Sequence, residues 1–334
     1  MRSAWLLAGA LSAAAIAAGP AMGDDSTAGL ASGGLVFLKS TQIEMQSETL
    51  YISNKAIRVH YTFVNRSPTA VTATMAFPMP DVTIDGPEGA PTIPRGASDN
   101  FLGFTTTADG KTVKATLQQT AVSIEGGVDR TAYLRSLGVP LAVYTDAASK
   151  AINALPKAKQ DALVKLGLAM PFDQDVGKGT EHFLIPTWTV RSRYVWSETF
   201  APGRTVTIEH DYTPSVATTV FVPWETDPSA DAKAERTLYC VDDAFAAAVA
   251  ELAKGRPGDE EHIDYVLLTG ANWKGPIGDF GMTVDKGAAD NLVSFCGSGV
   301  TKTGPTTFEV HYKNFTPTAN VSVLLIPAHP QPTD

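Results

Sequence analysis

The chain has 334 residues, with 35 acidic side chains against 26 basic ones and a formal charge of −9. That balance excludes the clustered Lys and Arg that nucleic-acid phosphates demand. At 44% apolar residues the chain is globular in type, and its length exceeds the usual single domain, so two domains are expected.

The N-terminus reads as a secretory signal. Arg2 supplies a positive n-region, Trp5 to Ala18 form an almost unbroken apolar run, and Ala21 and Gly23 occupy the −3 and −1 places of a cut before Asp24. A retained membrane anchor is the alternative, but the run of about 14 residues falls short of the roughly 20 that a spanning helix needs. Removing residues 1–23 takes away Arg2 and no acid, moving the formal charge from −9 to −10. No later stretch is long and apolar enough to span a membrane, so a periplasmic or secreted protein is expected.

Residues 24–125 read as an N-terminal β-sandwich. Ile57, Val59, Tyr61 and Phe63 alternate with Arg58, His60 and Thr62, the period of a half-buried strand. Val71, Ala73, Met75 and Phe77 repeat the pattern, and Asn65-Arg66-Ser67-Pro68 between the two runs predicts a hairpin turn. Asp109-Gly110 then precedes a third alternating run, Val113 to Leu117, after a Pro/Gly-rich loop from Pro78 to Gly96.

Residues 126–178 change to helical spacing and read as a helical insertion or linker. Leu134 and Leu137 mark one segment, Ile152 and Leu155 the next, and a third runs from Pro156 to Gly167. Strands return over 179–334, read as a C-terminal sandwich with a helix at Asp243 to Lys254. Trp188, Val190, Tyr194 and Trp196 share one face; after Pro202-Gly203, Val206, Ile208, His210 and Tyr212 alternate with Thr207, Glu209 and Asp211, predicting a second hairpin. Further strands are expected near 263–269, 278–285, 291–296, 306–313 and 320–326. The fold class is therefore mainly β, two antiparallel sandwich-like halves with a small helical insertion between them and one further helix. Cys240 and Cys296 are an even pair in an exported chain, first read as a disulfide. Closing a loop of about 57 residues, it would stabilise by roughly 4 kcal/mol.

Several segments resemble the bacterial exported family known as domain of unknown function 4424. They are Gly33-Gly34-Leu35-Val36-Phe37, Ala76-Phe77-Pro78-Met79-Pro80 and Asn100-Phe101-Leu102-Gly103-Phe104. Later come Trp273-Lys274-Gly275-Pro276-Ile277-Gly278-Asp279-Phe280, Val293-Ser294-Phe295-Cys296 and Thr303-Gly304-Pro305-Thr306-Thr307-Phe308-Glu309. The resemblance implies an exported protein of similar architecture and carries no assigned activity or functional residue. A weaker likeness links the N-terminal half, through Phe63, Asn65, Phe77-Pro78-Met79-Pro80 and Gly110-Lys111, to the vault/inter-alpha-trypsin sandwich, an interaction module.

The common catalytic signatures are missing. There is no HExxH helix, and Gly297-Ser298-Gly299 lacks the spacing of a nucleophile elbow. Gly177-Lys178-Gly179-Thr180 has no earlier glycine and precedes a strand, so it reads as a turn. Asn65-Arg66-Ser67 and Asn314-Phe315-Thr316 match a glycosylation pattern, a hint of surface loops. No metal set and no cofactor are indicated. Glu181-His182 and Glu261-His262 place unlike groups side by side, but neighbours on a strand face opposite ways. Glu209 and Asp211 do share a face; they could serve acid/base work or a hard metal, or simply lie on a solvated outer face. The best candidate for recognition is the loop with Trp273, Lys274 and Asp279, an indole beside an ammonium that suits a sugar ring or a partner surface; against it stands the favoured reading, that Trp273 simply caps the sandwich core. Two functions remain open: a noncatalytic module for a protein or saccharide partner, and a periplasmic hydrolase of envelope polymers using dispersed carboxylates.

Overall fold

The computed structural model describes residues 26–31, 34–87, 91–96, 98, 100–175, 177–220, 230–253 and 258–328. The expected leader, residues 1–23, lies outside them. The largest sheet has eight strands. In spatial order they are β18 (Thr301–Lys302), β19 (Thr307–Phe315), β16 (Ile277–Asp285), β3 (Ile43–Ile52), β4 (Ile57–Asn65), β13 (Thr205–Tyr212), β7 (Thr105–Ala108) and β8 (Lys111–Thr112). A six-stranded sheet runs β2 (Gly34–Leu38), β1 (Ser26–Ala31), β5 (Val71–Pro78), β12 (Thr189–Phe200) and β6 (Val82–Thr83), with β9 (Thr116–Val122) also on β12. A four-stranded sheet runs β14 (Ala217–Val220), β15 (Asp259–Tyr265), β20 (Val321–Ile326) and β17 (Leu292–Phe295). A separate hairpin joins β10 (Ala169–Asp175) and β11 (Thr180–Pro186). The fold is mainly β, as the alternation predicts.

The strand-rich segments do not close on themselves. β3 and β4 lie between β16 and β13, and β5 pairs with β12, so residues from 24–125 and from 179–334 are woven into the same sheets. The β16–β3 pairing is parallel, where only antiparallel pairs were expected. Neither predicted hairpin forms. β4 and β5 belong to opposite sheets, as do β12 and β13, so each turn crosses the sandwich instead of folding a ribbon. Alternation says which side chains face inward and nothing about which strand lies alongside.

Asn65 explains the crossings. Its Nδ2 donates to the carbonyls of Thr69 and Phe200, both at 2.8 Å, and its own carbonyl accepts from Gly203 N at 2.9 Å. One fully buried amide thus staples both arches together, and it is no glycosylation acceptor. A second local device sits on β3, whose register against β4 slips between Met45 and Ser47. A Cβ on Gly278 would lie 2.7 Å from the Gln46 carbonyl, so the close approach of β16 to this bulge requires glycine.

The main core draws on all three larger sheets: Leu50, Tyr61, Phe63 and Ile208 from the eight-stranded one, Met75, Phe77, Tyr194 and Trp196 from the six-stranded one, Ile263, Tyr265 and Val323 from the four-stranded one. The predicted insertion holds α1 (Thr131–Ser136), α2 (Asp146–Asn153) and α3 (Lys157–Lys165), which pack a second core around Trp188 and Val190. β12 therefore serves both cores with one face. The Trp188 Nε1 donates to the Leu141 carbonyl at 2.8 Å, fixing that join. Helix α5 (Asp243–Leu252) starts at an Asp242 cap and matches the expected helix, whose last residue, Lys254, lies outside the described residues. A helix not foreseen, α4 (Ala230–Leu238), joins it over the four-stranded sheet, where Tyr239, Val249, Leu324 and Ile326 form a third core. The Cys240–Cys296 disulfide forms as expected, with a Cα–Cα distance of 5.1 Å. No described helix is long and apolar enough to cross a membrane.

Candidate binding groove on the outer sheet face

The inward side of the eight-stranded sheet is largely apolar, with Glu48, Thr106 and His210 among its buried polar exceptions, so its outward positions are set by the same alternation. Strand register arranges them in transverse rows. Thr49, His60, Glu209 and Thr107 lie side by side across β3, β4, β13 and β7; Tyr51, Arg58, Asp211 and Thr105 form the next row. Together they line an open groove of about 380 Å³.

Each carboxylate in the groove has a basic neighbour. The Arg58 Nε donates to Asp211 Oδ2 at 3.1 Å, and His60 Nδ1 lies 3.2 Å from Glu209 Oε1. Thr107 Oγ1 donates to Glu209 Oε2 at 3.2 Å, and the Arg58 guanidinium sits 5.1 Å above the Tyr51 ring. Tyr51 donates to Asp285 Oδ2 at 2.9 Å; burial, and then that hydrogen bond, push its phenol above the ordinary value, so it stays protonated. The groove therefore offers alternating donors and acceptors beside one aromatic ring. His210 faces the other way, buried among the rings of Tyr61, Phe77, Phe104 and Trp196, as its place on the Val206/Ile208 face implies.

In the loop singled out from sequence, Trp273 follows the core-packing reading and not the recognition one. Trp273 is 1% exposed, its ring centroid 4.5 Å from that of Phe63, because a 3-10 turn over Leu268–Asn272 tucks the indole into the core. Lys274 is exposed beside Glu44, whose carboxyl it helps Arg66 hold below the usual range. Asp279 points outward from β16, where the Lys313 ammonium, with His311 also bonded, keeps its carboxyl below the ordinary value. The structure thus separates the indole from both charges. Asp279 shares the outer face with the groove through its register with Ser47, one row from Thr49.

The groove residues Arg58 and His60 were visible in the sequence as outward positions of a strand; Tyr51 stands on β3, a strand the sequence reading did not single out, and nothing in the spacing said that β13 would bring Glu209 and Asp211 against them. A family model described as a domain of unknown function, DUF4424, matches residues 23–324. The chain belongs to the DUF4424 family. No curated protein matches it. Among solved structures, the chain is similar to a Legionella pneumophila protein named "putative nutrient binding protein", with 20% identity, 90% of this chain and 72% of that chain covered, and a TM-score of 0.45. It is also similar to an M1 zinc metallopeptidase mutant from Deinococcus radiodurans bound to a Tyr-Ser-Ala substrate, at 10% identity, 87% and 44% coverage and a TM-score of 0.24. At these scores neither likeness carries function across.

The segments that mark this DUF4424 chain are architectural. Asn100 accepts from Phe104 N and from Tyr194 Oη and donates to the Phe104 carbonyl, closing the Asn100–Phe104 turn on the core. Gly275 holds φ +78°, Gly278 meets the bulge and Phe280 is buried. Ser294 Oγ donates to the Tyr239 carbonyl at 2.8 Å, next to the disulfide.

Proposed function

We propose that this DUF4424 protein is a noncatalytic binding module acting outside the cytoplasm, and that the outer face of its largest sheet takes a hydroxyl-rich ligand, a saccharide. The observation that carries the reading is the pair of transverse rows. Arg58, His60, Glu209 and Asp211 present both donors and acceptors beside the Tyr51 ring, the combination that sugar hydroxyls and a sugar's apolar face require. Asp279 extends that face. Export rests on the leader signature of residues 1–23, and the Cys240–Cys296 bridge supports an oxidising compartment. The hydrolase alternative needs one protonated and one charged carboxyl facing a scissile bond. Glu209 and Asp211 are instead each engaged by a basic group on an open face, which argues for holding a ligand over cleaving it.

The test is calorimetric titration of the full chain with a panel of neutral and acidic oligosaccharides. Binding is expected, and Arg58→Met or Glu209→Gln should weaken it about tenfold, the worth of one charge-assisted hydrogen bond. Binding unchanged by both substitutions, or absent across the panel, would sink the reading. Release of new reducing ends would return the hydrolase to first place.

A further inference from the structure

On the helix-covered face of the four-stranded sheet, β15 turns Glu260 and His262 to the same side, two residues apart, toward α4. Glu235 arrives from that helix, and the ligating atoms of the three side chains lie within 4.8 Å of one another. We propose that Glu235, Glu260 and His262 form a binding site for a divalent first-row transition ion, with zinc the ion their one imidazole and two carboxylates best suit. The site is independent of the saccharide groove and lies on a different sheet.

Three observations carry it. First, the distances are close: donors on a tetrahedral zinc at about 2.1 Å stand roughly 3.4 Å apart, the Glu260 and His262 donors already lie 3.3 Å from each other, and Glu235 has to move in by at most about 1.4 Å to join them. Second, Glu260 is 7% exposed, and no Lys or Arg among the described residues pairs with it. Its partners are the Thr219 hydroxyl at 2.6 Å and His262 Nε2 at 3.3 Å. A buried carboxylate without a permanent cation is costly unless a positive charge reaches it. Third, the imidazole is already oriented. His262 Nδ1 lies 2.6 Å from the Tyr239 hydroxyl, which leaves Nε2 as the nitrogen aimed at the Glu260 carboxylate. In the tautomer with its proton on Nδ1, the bond to Tyr239 is the usual outer support of a metal-bound histidine, and Nε2 presents its lone pair to an ion.

Tyr239 is held firmly: the next residue, Cys240, is bridged to Cys296, and Ser294 donates to the Tyr239 carbonyl. Glu235 is only half-buried, so the ion keeps positions open to water.

Untagged full-length protein, disulfide intact and stripped by chelator, would be titrated with zinc chloride by calorimetry and followed by thermal melting. One equivalent should bind, and the melting temperature should climb with zinc concentration. Glu235→Gln, a change on the open side that leaves the cores untouched, and His262→Gln should each lower affinity at least about tenfold. His311→Ala, which removes an exposed imidazole on another sheet, should leave zinc binding unchanged. Failure of the folded chain, judged by circular dichroism, to bind saturably would overturn the site, and so would zinc binding that survives both ligand substitutions or is lost with His311. Saccharide binding should be unmoved by Glu235→Gln and His262→Gln, so the two readings fail separately.

Discussion

Two regions of this molecule carry the same pair of groups at the same distance. On the outer face of the eight-stranded sheet, His60 stands 3.2 Å from Glu209 with about half of each side chain exposed, at 48% and 53%. Beneath α4, His262 stands 3.3 Å from Glu260 with 14% and 9% exposed. Geometry alone does not tell them apart; burial does. In water the first pair exchanges its partner for a ligand hydroxyl at little cost, because exposed ion pairs contribute about 0–1 kcal/mol. The second is walled in by Thr219, Tyr239 and a helix, where an unmatched charge costs several times more. A pair made for exchange and a pair made for retention differ by what covers them.

The largest expected effect separates the regions by their supports. Replacing Cys240 and Cys296 together by serine removes a constraint worth about 4 kcal/mol in the chain-entropy treatment. Urea unfolding should register that loss. The disulfide anchors the end of α4 to β17 and touches no strand of the groove, so zinc affinity should fall with it while saccharide binding stays. Equal damage to both ligands would show that the two faces are not independent, and the contrast would collapse.

A smaller effect tests burial directly. His262→Ala should cost about 3 kcal/mol, since it strands Glu260 and the Tyr239 hydroxyl in a closed space. His60→Ala should cost no more than about 0.5 kcal/mol, the range of an exposed pair. Chemical denaturation of both variants with equal slopes is the measurement. Similar losses for the two would mean that separation, and not exposure, governs their strength.

Much of this was legible in the residues. Alternation placed Tyr61, Phe63, Ile208 and His210 inward and Arg58, His60, Glu209 and Asp211 outward, and the even cysteine pair forms its bridge. Strand partners were not legible, because Asn65 and its arches send successive runs to opposite sheets, and no local pattern encodes that. The adjacency of Glu261 and His262 was rightly discounted, since strand neighbours face opposite ways, but Glu260 went unnoticed. The two-residue rule that joined Glu209 to Asp211 also joins Glu260 to His262, yet Glu235 reaches them only through the docking of α4. Trp273 stands in a Gly/Pro-rich loop whose spacing leaves both core packing and exposure open; whether such a loop turns its indole in or out depends on Phe63, which is 210 positions away.

The finest test acts on the groove through register. Gly278 accepts β3's bulge because it has no Cβ; alanine there would place one 2.7 Å from the Gln46 carbonyl, a backbone atom that cannot swing aside. Gly278→Ala should therefore destabilise by about 2 kcal/mol, the usual range for forced overpacking. The bulge also decides which β3 side chains face out, since a slip of one residue would send Thr49 and Tyr51 inward. Strain at this point should accordingly reach Tyr51 and the Arg58 guanidinium stacked on it, weakening saccharide binding more than stability alone explains, with the zinc titration unchanged. Should the variant lose stability yet bind sugar normally, the register of β3 would be irrelevant to recognition, and the groove's specificity would have to come from β4 and β13 alone.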